Sequence, residues 1–500
     1  MSIVTRHDRG LDRGAAGHRR SAGRAAARIA RGLLVPLVLL SPAIYYGTRG
    51  CGPSRGTPRS PEFAQVNTNT EAFRARCGHL TPDRKPVVIT MLYSDEKKPW
   101  VEHAANEFGR LCQNIQLKLI ALSNIESAEA ILSGKHKPTV WSPADGLVLR
   151  YFDHQWREAG KGSLFDVEQR RPLIRSPVVW LAWESRYQVV QAILESGSSP
   201  EGAWVQVPCA GVPRKAPPGL LARNEMVPGR WIDWYRAAGS PLPGAPPAGG
   251  PPRKRGTKPL RPLSFPSPEQ IESWGRMKFA YTSPTTSGSG LEAVYMMAYK
   301  YVLTPSERGA LIGDRDALNR EIGREVEPLR SWLQRCQAGL EVFSSSTQLL
   351  TDSIFRLGPD RYDVVVTYEH LTFTLLTQRD EQAAAMEDLR VIYPDPTVWN
   401  EHPVVVLRHG DPQERVRVAA AEKWIAFLLD TEMQNRAIDM GFRPANPEIR
   451  IRDKNTGANP FMRLRRFGVE PDITEGELLR LDGKVVNDLI ELWGDATGRN

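Results

Sequence analysis

Cysteine is scarce in this 500-residue chain, which has five, with no C-x-x-C pair and no Cys/His cluster at zinc spacing. The sequence therefore excludes a disulfide-rich scaffold and gives no indication of a structural zinc site. In an exported protein, four of the cysteines could form one or two disulfides, although we favour isolated buried thiols. These four are Cys77, Cys112, Cys209 and Cys336.

The signatures of common enzyme classes are also missing. The sequence contains no H-E-x-x-H, no G-x-x-x-x-G-K-[ST], no G-x-S-x-G, and no G-x-G-x-x-G after a strand. Its nine histidines are scattered, and no two stand at the spacing of metal ligands. We therefore expect a protein that is not an enzyme, with no catalytic residue, no cofactor and no metal site.

Excess basic charge is confined to one end of the chain. The net charge is +9, but residues 1–60 hold eleven arginines against only Asp8 and Asp12, which accounts for the whole excess. The remaining 440 residues contain 55 basic and 55 acidic groups. A nucleic-acid-binding protein would carry its positive charge on the folded body. We therefore expect no nucleic-acid partner.

An uncharged apolar stretch, LLVPLVLLSPAIYY, covers residues 33–46 and follows a run of arginines that ends at Arg31. It is shorter than the roughly 20 residues that a membrane-spanning helix needs. A basic flank before a short apolar stretch is typical of a secretory signal, and the positive-inside rule places the body outside the cytoplasm. We therefore expect residues 1–50 to be a signal or anchor segment. The body would be exported to the bacterial periplasm or held at the outer face of the cytoplasmic membrane.

Cys51 follows this stretch at the place where a bacterial lipoprotein would carry its acylated cysteine. The preceding Thr48, Arg49 and Gly50 depart from the usual Leu-small-small pattern. Lipidation at Cys51, cleavage by an ordinary signal peptidase and an uncleaved anchor therefore all remain open. Residues 51–84 are polar and contain proline and glycine, which predicts a tether between the membrane and the body.

Strand-like and helix-like segments alternate beyond the tether. Strand-like segments recur at 87–93, 115–120, 178–183 and 362–367, and those at 87–93 and 178–183 are apolar runs. Segments with helical spacing separate them, and this alternation predicts an α/β fold of open, mostly parallel sheets flanked by helices. The number of elements suits two lobes. A Pro-rich basic insertion at 212–268 interrupts the pattern, and its ten prolines between 241 and 268 predict an extended surface segment.

Polar loops follow four of the predicted strands, at the edge where open α/β sheets bind ligands. Hydroxyl groups and backbone amides at helix N-termini can surround an oxyanion there without a lysine or an arginine. Helix capping alone would explain any single loop. The loop 282–290 is harder to explain in this way, because six of its nine residues carry hydroxyl groups.

Seven segments of the chain carry a family resemblance, in a fixed order. They are YSDEKKPWVEHAANEF at 93–108, KPTVWSPAD at 137–145, SPVVWLAWES at 176–185, WGRMKFAYTSPTTSGSGLEAV at 274–294, YDVVVTYEHL at 362–371, YPDPTVWNEHPVVVLR at 393–408 and GFRPANP at 441–447. In these segments the chain resembles bacterial extracellular solute-binding proteins, the receptors of ABC importers. It is most similar to the molybdate-binding-like branch, whose members often carry a von Willebrand factor A domain. No Asp-x-Ser-x-Ser metal motif is found, so we expect that domain to be absent.

The resemblance implies a two-lobed, type II periplasmic-binding-protein-like fold, in which crossing strands join the lobes and the ligand lies between them. Lobe 1 would comprise residues 85–178 and 400–500, and lobe 2 residues 179–399. Asp95 and Asp145 depart from the family pattern, because serine is usual at both positions. The ligand-binding residues that the resemblance implies are Ser94, Ser142, Thr285, Thr286, Ser287 and Tyr368.

The implied function is that of a membrane-associated extracytoplasmic receptor. It would act as a monomer that closes its lobes around a small ligand, such as an oxyanion, and delivers it to ABC permease subunits. The N-terminal segment would hold it at the membrane. The alternative is an envelope sensor or interaction module that uses the same fold without transport. The basic insertion and the acidic substitutions near the predicted site motivate that alternative.

Overall fold

The computed structural model describes most of the chain beyond residue 84. The described residues are 77, 78, 80, 85–195, 230–237, 265–302, 314–337, 344–381, 387–394, 396–454, 459–473 and 477–498. The predictions for the N-terminal segment 1–50 and for Cys51 lie outside the described residues, as do those for most of the tether 51–84 and of the insertion 212–268. Among the described residues, no helix combines the length and apolar character needed to cross a membrane.

Strands and helices are numbered here in chain order, within the described residues. The strands are β1 (Val87–Ser94), β2 (Ile115–Leu122), β3 (Val140–Ser142), β4 (Arg171–Pro172), β5 (Ile174–Trp183), β6 (Phe279–Ala280), β7 (Val364–Tyr368), β8 (Leu389–Ile392), β9 (Trp399–Asn400), β10 (Pro403–Val406) and β11 (Arg443–Pro444). The α-helices are α1 (Lys98–Leu111), α2 (Asn124–Leu132), α3 (Gly146–Glu158), α4 (Glu184–Glu195), α5 (Trp231–Ala237), α6 (Pro268–Ser273), α7 (Gly288–Val302), α8 (Arg315–Arg324), α9 (Val326–Gln337), α10 (Thr347–Leu357), α11 (Glu369–Glu381), α12 (Glu414–Leu428), α13 (Thr431–Asp439), α14 (Pro460–Arg463) and α15 (Gly483–Thr497). Short 3-10 helices occupy Asp95–Lys97, Val167–Gln169, Ile451–Asp453 and Leu464–Phe467.

The lobe 1 sheet has the strand order β2-β1-β3-β10-β4. β1 runs parallel to β2 and β3, whereas β10 runs antiparallel to β3 and β4. Successive side chains of a strand point to opposite faces, and β1 shows this alternation. Ile89 and Met91 pack in the core formed with α1 and α12, whereas Leu92 packs with α2 and α3. Helices therefore cover both faces of this sheet.

The lobe 2 sheet has the order β11-β5-β7-β6, with β8 and β9 also paired to β5. β5 runs antiparallel to all its partners, and β6 runs parallel to β7. Trp180 and Ala182 of β5 pack in the core that contains α7, whereas Val179 and Leu181 pack with α10 and α11. Both faces of this sheet are therefore buried as well, which explains the continuous apolar run of β5.

The two-lobed α/β fold class expected from the sequence is confirmed. The chain leaves the lobe 1 sheet after Pro172, enters the lobe 2 sheet at Ile174, and returns between Asn400 and Pro403. Both sheets are mixed. Parallel pairing predominates in the lobe 1 sheet, as predicted, whereas the strands paired with β5 in the lobe 2 sheet run antiparallel to it, which corrects the prediction there. β5 and β10 follow the two crossings and enter their sheets from the opposite lobe. β5 therefore runs antiparallel to β7, and β10 antiparallel to β3.

The C-terminal region contacts both lobes, whereas the sequence prediction assigns all of 400–500 to lobe 1. α12 packs on β1 and α1. In contrast, Phe461, Leu464 and Phe467 belong to the same core cluster as Val365 of the lobe 2 sheet. α15 contacts α3 of lobe 1 as well as α7 and α9 of lobe 2. An amphipathic pattern shows that a helix has a buried face, but not which sheet that face covers.

Cys77 and Cys112 form a disulfide, with their Cα atoms 5.2 Å apart. Cys336 is also disulfide-bonded. The expectation of isolated buried thiols is therefore wrong for these residues. The sequence could not decide between the alternatives, because Cys77 precedes β1 and Cys112 follows α1. Only the tertiary packing of these segments brings the two residues together.

Candidate ligand-binding cleft

The two lobes meet at the first residue of α7. A Cβ atom built on Gly288 would lie 2.3 Å from Asn124 Nδ2 and 2.6 Å from Asp145 Oδ2, both of which belong to lobe 1. Loops at the carboxyl ends of β1, β2, β3 and β7 surround this contact, together with the return crossing after β9. We call the surrounding residues the interlobe site, which comprises Glu96, Lys97, Asn124, Ser142, Asp145, Gly288, Glu292, Tyr368 and Asn400.

Local hydrogen bonds orient two lobe 1 side chains of this site. Asp145 is the N-cap of α3, and its Oδ1 accepts from backbone N–H groups of the first turn at 2.7 and 3.0 Å. Asn124 Oδ1 accepts from the backbone N–H of Ala144 at 2.7 Å. These bonds occupy one polar atom of each side chain. The other atoms, Asp145 Oδ2 and Asn124 Nδ2, face Gly288.

Several buried side-chain atoms of the interlobe site have no hydrogen-bond partner among the described residues, and we call these the open polar atoms. They come from both lobes and the crossing: Glu96 Oε2, Asn124 Nδ2, Ser142 Oγ, Asp145 Oδ2, Glu292 Oε1, Tyr368 OH and Asn400 Oδ1. Leaving such an atom without a partner costs about 1–3 kcal/mol, and native proteins rarely do so. This concentration at one place favours a bound molecule that supplies the missing partners.

Lys97 is a fully buried cation within the interlobe site. Its Nζ donates to Ser94 Oγ at 2.7 Å and to the carbonyl oxygens of Ser142 and Pro143 at 2.7 and 3.0 Å. These bonds use all three hydrogens of an ammonium group. Burial lowers the pKa of Lys97 to about 7, an effect that the nearby Glu96 opposes. Lys97 therefore joins two loops of lobe 1 and retains no hydrogen for a ligand.

Nearby hydrogen bonds and positive charges only partly offset the burial of the carboxyl groups in the interlobe site. Burial raises the pKa of Asp145 to about 6, although its helix-cap bonds, Lys97 and Arg480 act in the opposite direction. Burial raises the pKa of Glu292 well above its usual value, and the nearby Asp145 raises it further. Burial also raises the pKa of Glu96 to about 7. The site thus disfavours the ionised forms of its own acidic groups.

Glu292 lies in α7, one turn after Gly288, and faces the crossing. Its Oε2 accepts a hydrogen bond from Asn400 Nδ2 at 3.3 Å. The Tyr368 hydroxyl lies beside the Glu292 carboxyl and lowers its pKa, but the geometry falls short of a hydrogen bond. A Cβ on Gly288 would lie 2.8 Å from the same hydroxyl. Glu292, Asn400 and Tyr368 therefore form the wall of the site opposite Asn124 and Asp145.

Two buried histidines stand next to the site, near the return crossing. His402 Nδ1 is 3.4 Å from Lys97 Nζ, and His370 Nδ1 is 2.9 Å from Ser176 Oγ. Burial lowers the pKa of His370 to about 3 and the pKa of His402 well below its usual value, and Lys97 adds to both effects. Both imidazoles are therefore neutral at physiological pH. Within the part of the chain that the structure describes, no three His, Cys, Asp or Glu side chains are arranged to hold a metal ion.

The structure brings three of the predicted ligand-binding residues together around the interlobe site. Ser94 accepts a hydrogen bond from Lys97, Ser142 presents an open Oγ, and Tyr368 presents an open hydroxyl. All three are fully buried. Strands β1, β3 and β7 end at these residues, so the edge rule for open α/β sheets located them. Their role in ligand binding stays a prediction.

The other three predicted residues lie in the loop before α7 and have partners of their own. Ser287 is buried, and its Oγ lies 2.9 Å from Thr347 Oγ1. Thr285 and Thr286 are half-buried and bond within the loop, Thr285 to the hydroxyl of Ser283 and Thr286 to its carbonyl oxygen. These bonds shape the loop that leads to Gly288. A ligand role for Thr285, Thr286 and Ser287 also stays a prediction.

Sequence reasoning missed most of the residues with amide or carboxyl side chains in the site. Asn124 offered a usable signal, because it begins a helix directly after an apolar run. Glu292 offered none, because it lies in a largely apolar helix that is buried along its length. The structure separates the two acidic residues of the loop after β1. Asp95 is exposed, whereas Glu96 Oε2 is buried within the site.

Comparisons with known proteins find similarity in fold. No family model matches the sequence, and no curated protein matches it significantly. The sulfate-binding protein SubI from Mycobacterium tuberculosis H37Rv is similar in structure, with a TM-score of 0.41 and 15% identity over 83% of this chain and 99% of that one. A Trichodesmium protein (IdiA, FutA) in complex with iron and citrate gives a TM-score of 0.44 and 12% identity, over 83% and 100%. An ABC transporter structure from Clostridium perfringens ATCC 13124 gives 0.43 and 11%, over 82% and 99%. The fold assignment made above rests on the strand order and crossings of this chain itself.

The stability of the protein without added solute is expected to depend on pH through Asp145. Its pKa rises from an ordinary 3.8 to about 6 on folding. Ionisation of Asp145 therefore destabilises the folded protein. Stability is greatest below pH 4, where the carboxyl group is protonated, and falls by about 3 kcal/mol as the pH rises to about 6. Asp145→Asn retains a capping oxygen and removes the carboxyl group. Urea denaturation should find this variant equal to the wild type at pH 4 and about 3 kcal/mol more stable at pH 7.5.

Asp314→Asn is the matched control, because Asp314 caps α8 through the same side-chain oxygen but is exposed. This substitution should change stability by less than about 0.5 kcal/mol at either pH. A difference between Asp145→Asn and the wild type that stays constant from pH 4 to 7.5 would contradict the raised pKa of Asp145.

Proposed function

We propose that the protein is an extracytoplasmic receptor that captures one small solute between its lobes and delivers it to the permease of an ABC importer. The observation that carries the proposal is the set of open polar atoms, which come from both lobes. Three of them, on Asn124, Asp145 and Tyr368, lie within 2.8 Å of a Cβ built on Gly288. A solute bound there contacts both lobes at once. It therefore stabilises the closed arrangement over an open one, which is how a hinged receptor retains its ligand. The proposal assigns no catalytic step to the site.

Export from the cytoplasm is part of this proposal. The disulfide between Cys77 and Cys112 supports it, because such bonds persist in oxidising compartments and are rare in the cytosol. Residues 1–50 would direct export and hold the receptor at the membrane, and Cys51 would carry the lipid if the anchor is acylated. A receptor held at the membrane surface remains close to the permease that it supplies.

Gly288→Ala is expected to weaken solute binding at least tenfold. Its Cβ would lie 2.3–2.8 Å from polar atoms of Asn124, Asp145 and Tyr368. The added methyl group would therefore prevent the lobes from reaching the contact observed at Gly288. The measurement is a thermal-shift screen of the full chain with amines, amino acids, sugars and oxyanions. A solute at 100 times its dissociation constant should stabilise the wild type by about 2.7 kcal/mol and the variant by much less.

Gly146→Ala is the control, because Gly146 is also the first residue of a helix. Its Cβ would be in ordinary contact, at 3.4 Å, with the flexible side chains of Arg170 and Arg480. This variant should bind as the wild type does. The proposal fails if no class of solute stabilises the folded wild-type protein, or if Gly288→Ala binds as tightly as Gly146→Ala.

A further inference from the structure

We propose that the solute carries a protonated amine next to a hydrogen-bond acceptor, and that Asp145 and Glu292 bind the amine. This inference rests on the proposed function, because it names the chemical class of the solute that the lobes hold. It replaces the oxyanion expected from the sequence with a ligand of opposite charge.

Two carboxyl oxygens of the interlobe site lack a hydrogen-bond donor. Asp145 Oδ2 and Glu292 Oε1 are open polar atoms, and the two residues are 1% and 0% exposed. Each carboxyl already accepts a hydrogen bond through its other oxygen. A carboxylate buried without full compensation is costly. An ammonium group supplies both positive charge and three donors, and charge-assisted bonds of this kind are about twice as strong as neutral ones.

The two protein cations that act on Asp145 are committed elsewhere. All three hydrogens of Lys97 are donated to lobe 1 acceptors, as described above. Arg480 acts on Asp145 electrostatically but forms ion pairs with Glu401 and Glu477. Neither cation therefore supplies the hydrogen bond that Asp145 Oδ2 lacks. A cationic ligand group would supply it.

An oxyanion is disfavoured by what already lies at the start of α7. The N-terminus of a helix is the part that attracts an anion. In this protein, Asp145 Oδ2 from the opposite lobe faces that end, 2.6 Å from the Cβ position of Gly288. Glu292 adds a second carboxyl group one turn later. An oxyanion placed here would either face two carboxylates in a buried environment, where repulsion is strong, or require both acidic groups to stay protonated.

The neighbouring open donors define the second part of the ligand. The backbone N–H of Ala144 fixes the Asn124 amide, so Nδ2 and not Oδ1 faces the site. The Tyr368 hydroxyl faces the same position and can donate. A bare metal ion would leave both donors without an acceptor. A solute with an amine and an adjacent oxygen acceptor, such as an amino acid or an amino alcohol, would satisfy donors and acceptors together.

The sign of the pH dependence separates the two ligand classes. Burial raises the pKa of both Asp145 and Glu292 and so favours their protonated forms. The helix-cap bonds, Lys97 and Arg480 oppose this at Asp145, whereas Asp145 and Glu96 reinforce it at Glu292. An amine favours the ionised carboxylates, so its binding releases protons and becomes tighter as the pH rises. An oxyanion favours the protonated carboxyl groups, so its binding would become tighter as the pH falls.

The test is a thermal-shift screen of the full chain, followed by isothermal titration calorimetry at pH 5.5 and 7.5. The amine probes are the proteinogenic amino acids, ethanolamine, putrescine and spermidine. The competing probes are sulfate, molybdate, glucose, Mg²⁺ and Ca²⁺. We expect one or more amine probes to stabilise the protein, with an affinity at least threefold higher at pH 7.5 than at pH 5.5, and no stabilisation by the competing probes.

Variants that remove the carboxyl group but keep the shape of the side chain test whether the amine binds at Asp145 and Glu292. Asp145→Asn and Glu292→Gln should each weaken amine binding at least tenfold, as the loss of a hydrogen bond to a charged group requires. Glu102→Gln is the control, because Glu102 is an exposed glutamate of α1, and it should bind as the wild type does. Asp145→Asn is expected to be more stable than the wild type when empty, so its loss of binding would not result from unfolding.

The remaining outcomes distinguish this inference from the proposed function. Binding of sulfate or molybdate that strengthens in Asp145→Asn would overturn the amine assignment and leave the receptor function intact. Binding of glucose or of a metal ion that Gly288→Ala weakens would have the same consequence. If no probe of either set stabilises the folded protein, both the inference and the proposed function are overturned.

Discussion

Glu369→Gln is expected to lower the free energy of unfolding by about 3–5 kcal/mol, because it leaves a buried arginine without its counter-charge. Arg443 Nε and Nη2 donate to Glu369 Oε2 and Oε1 at 2.7 and 2.6 Å, and the two side chains are 7% and 0% exposed. Tyr393 also donates its hydroxyl hydrogen to Glu369, and the Pro471 carbonyl oxygen accepts from Arg443 Nη1. Urea denaturation of the full chain measures the effect.

The exposed pair between Arg171 and Glu422 is the matched control. It also has two hydrogen bonds, from Arg171 Nη1 and Nη2 at 2.7 and 3.0 Å, but its side chains are 30% and 48% exposed. Glu422→Gln should therefore cost no more than about 1 kcal/mol. If Glu369→Gln costs as little as this control, the buried pair does not stabilise the protein in the way that its geometry implies.

The same ion pair also matters for the interlobe site. Glu369 is the first residue of α11 and directly follows Tyr368, whose hydroxyl is one of the open polar atoms. Arg443 belongs to β11, which pairs with the start of β5 at the crossing. The pair thus ties the end of β7 to the crossing.

Removing the disulfide with Cys77→Ser and Cys112→Ser together is expected to cost about 4 kcal/mol. The two cysteines are separated by 35 residues in sequence. The loop-closure entropy that such a cross-link removes from the unfolded chain corresponds to this value. The closed loop contains β1 and α1, which carry the first loop of the interlobe site. Urea denaturation under non-reducing conditions measures the loss.

Reduction of the wild type provides the internal control for this prediction. Equilibrium unfolding in dithiothreitol should lower the stability of the wild type by at least as much as the double substitution does. Dithiothreitol should lower the stability of the double variant by less than it lowers that of the wild type, because the variant has no Cys77–Cys112 disulfide to reduce. A double variant as stable as the oxidised wild type would show that this cross-link contributes nothing to stability.

The fold could largely be predicted from the sequence, since its strongest signals are local. The strand-like segments at β1, β2, β5 and β7 are recognisable in the sequence, and helical spacing follows each of them. Strand direction could not be predicted in the same way. A strand that is buried on both faces has the same apolar sequence pattern in a parallel and in an antiparallel sheet. The direction of β5 depends on its entry from the other lobe, which is a tertiary property.

The candidate site could be predicted only in part. Ser94, Ser142 and Tyr368 stand at strand ends, so the edge rule located them. Glu292 could not be recognised, because it lies within an apolar helix and becomes a site residue only when α7 meets lobe 1. The net charge of +9 was equally uninformative about the site. Its excess lies in residues 1–60, whereas the interlobe site contains three acidic side chains and one lysine.

The central claim is that a small solute bridges the two lobes at the interlobe site. The most direct measurement is hydrogen–deuterium exchange of the full chain with and without the solute that gives the largest thermal shift. The claim predicts slower exchange at residues 141–146 of lobe 1 and at residues 286–290 of lobe 2 in the same sample. Protection confined to one lobe, or found only at residues outside the interlobe site, would contradict it.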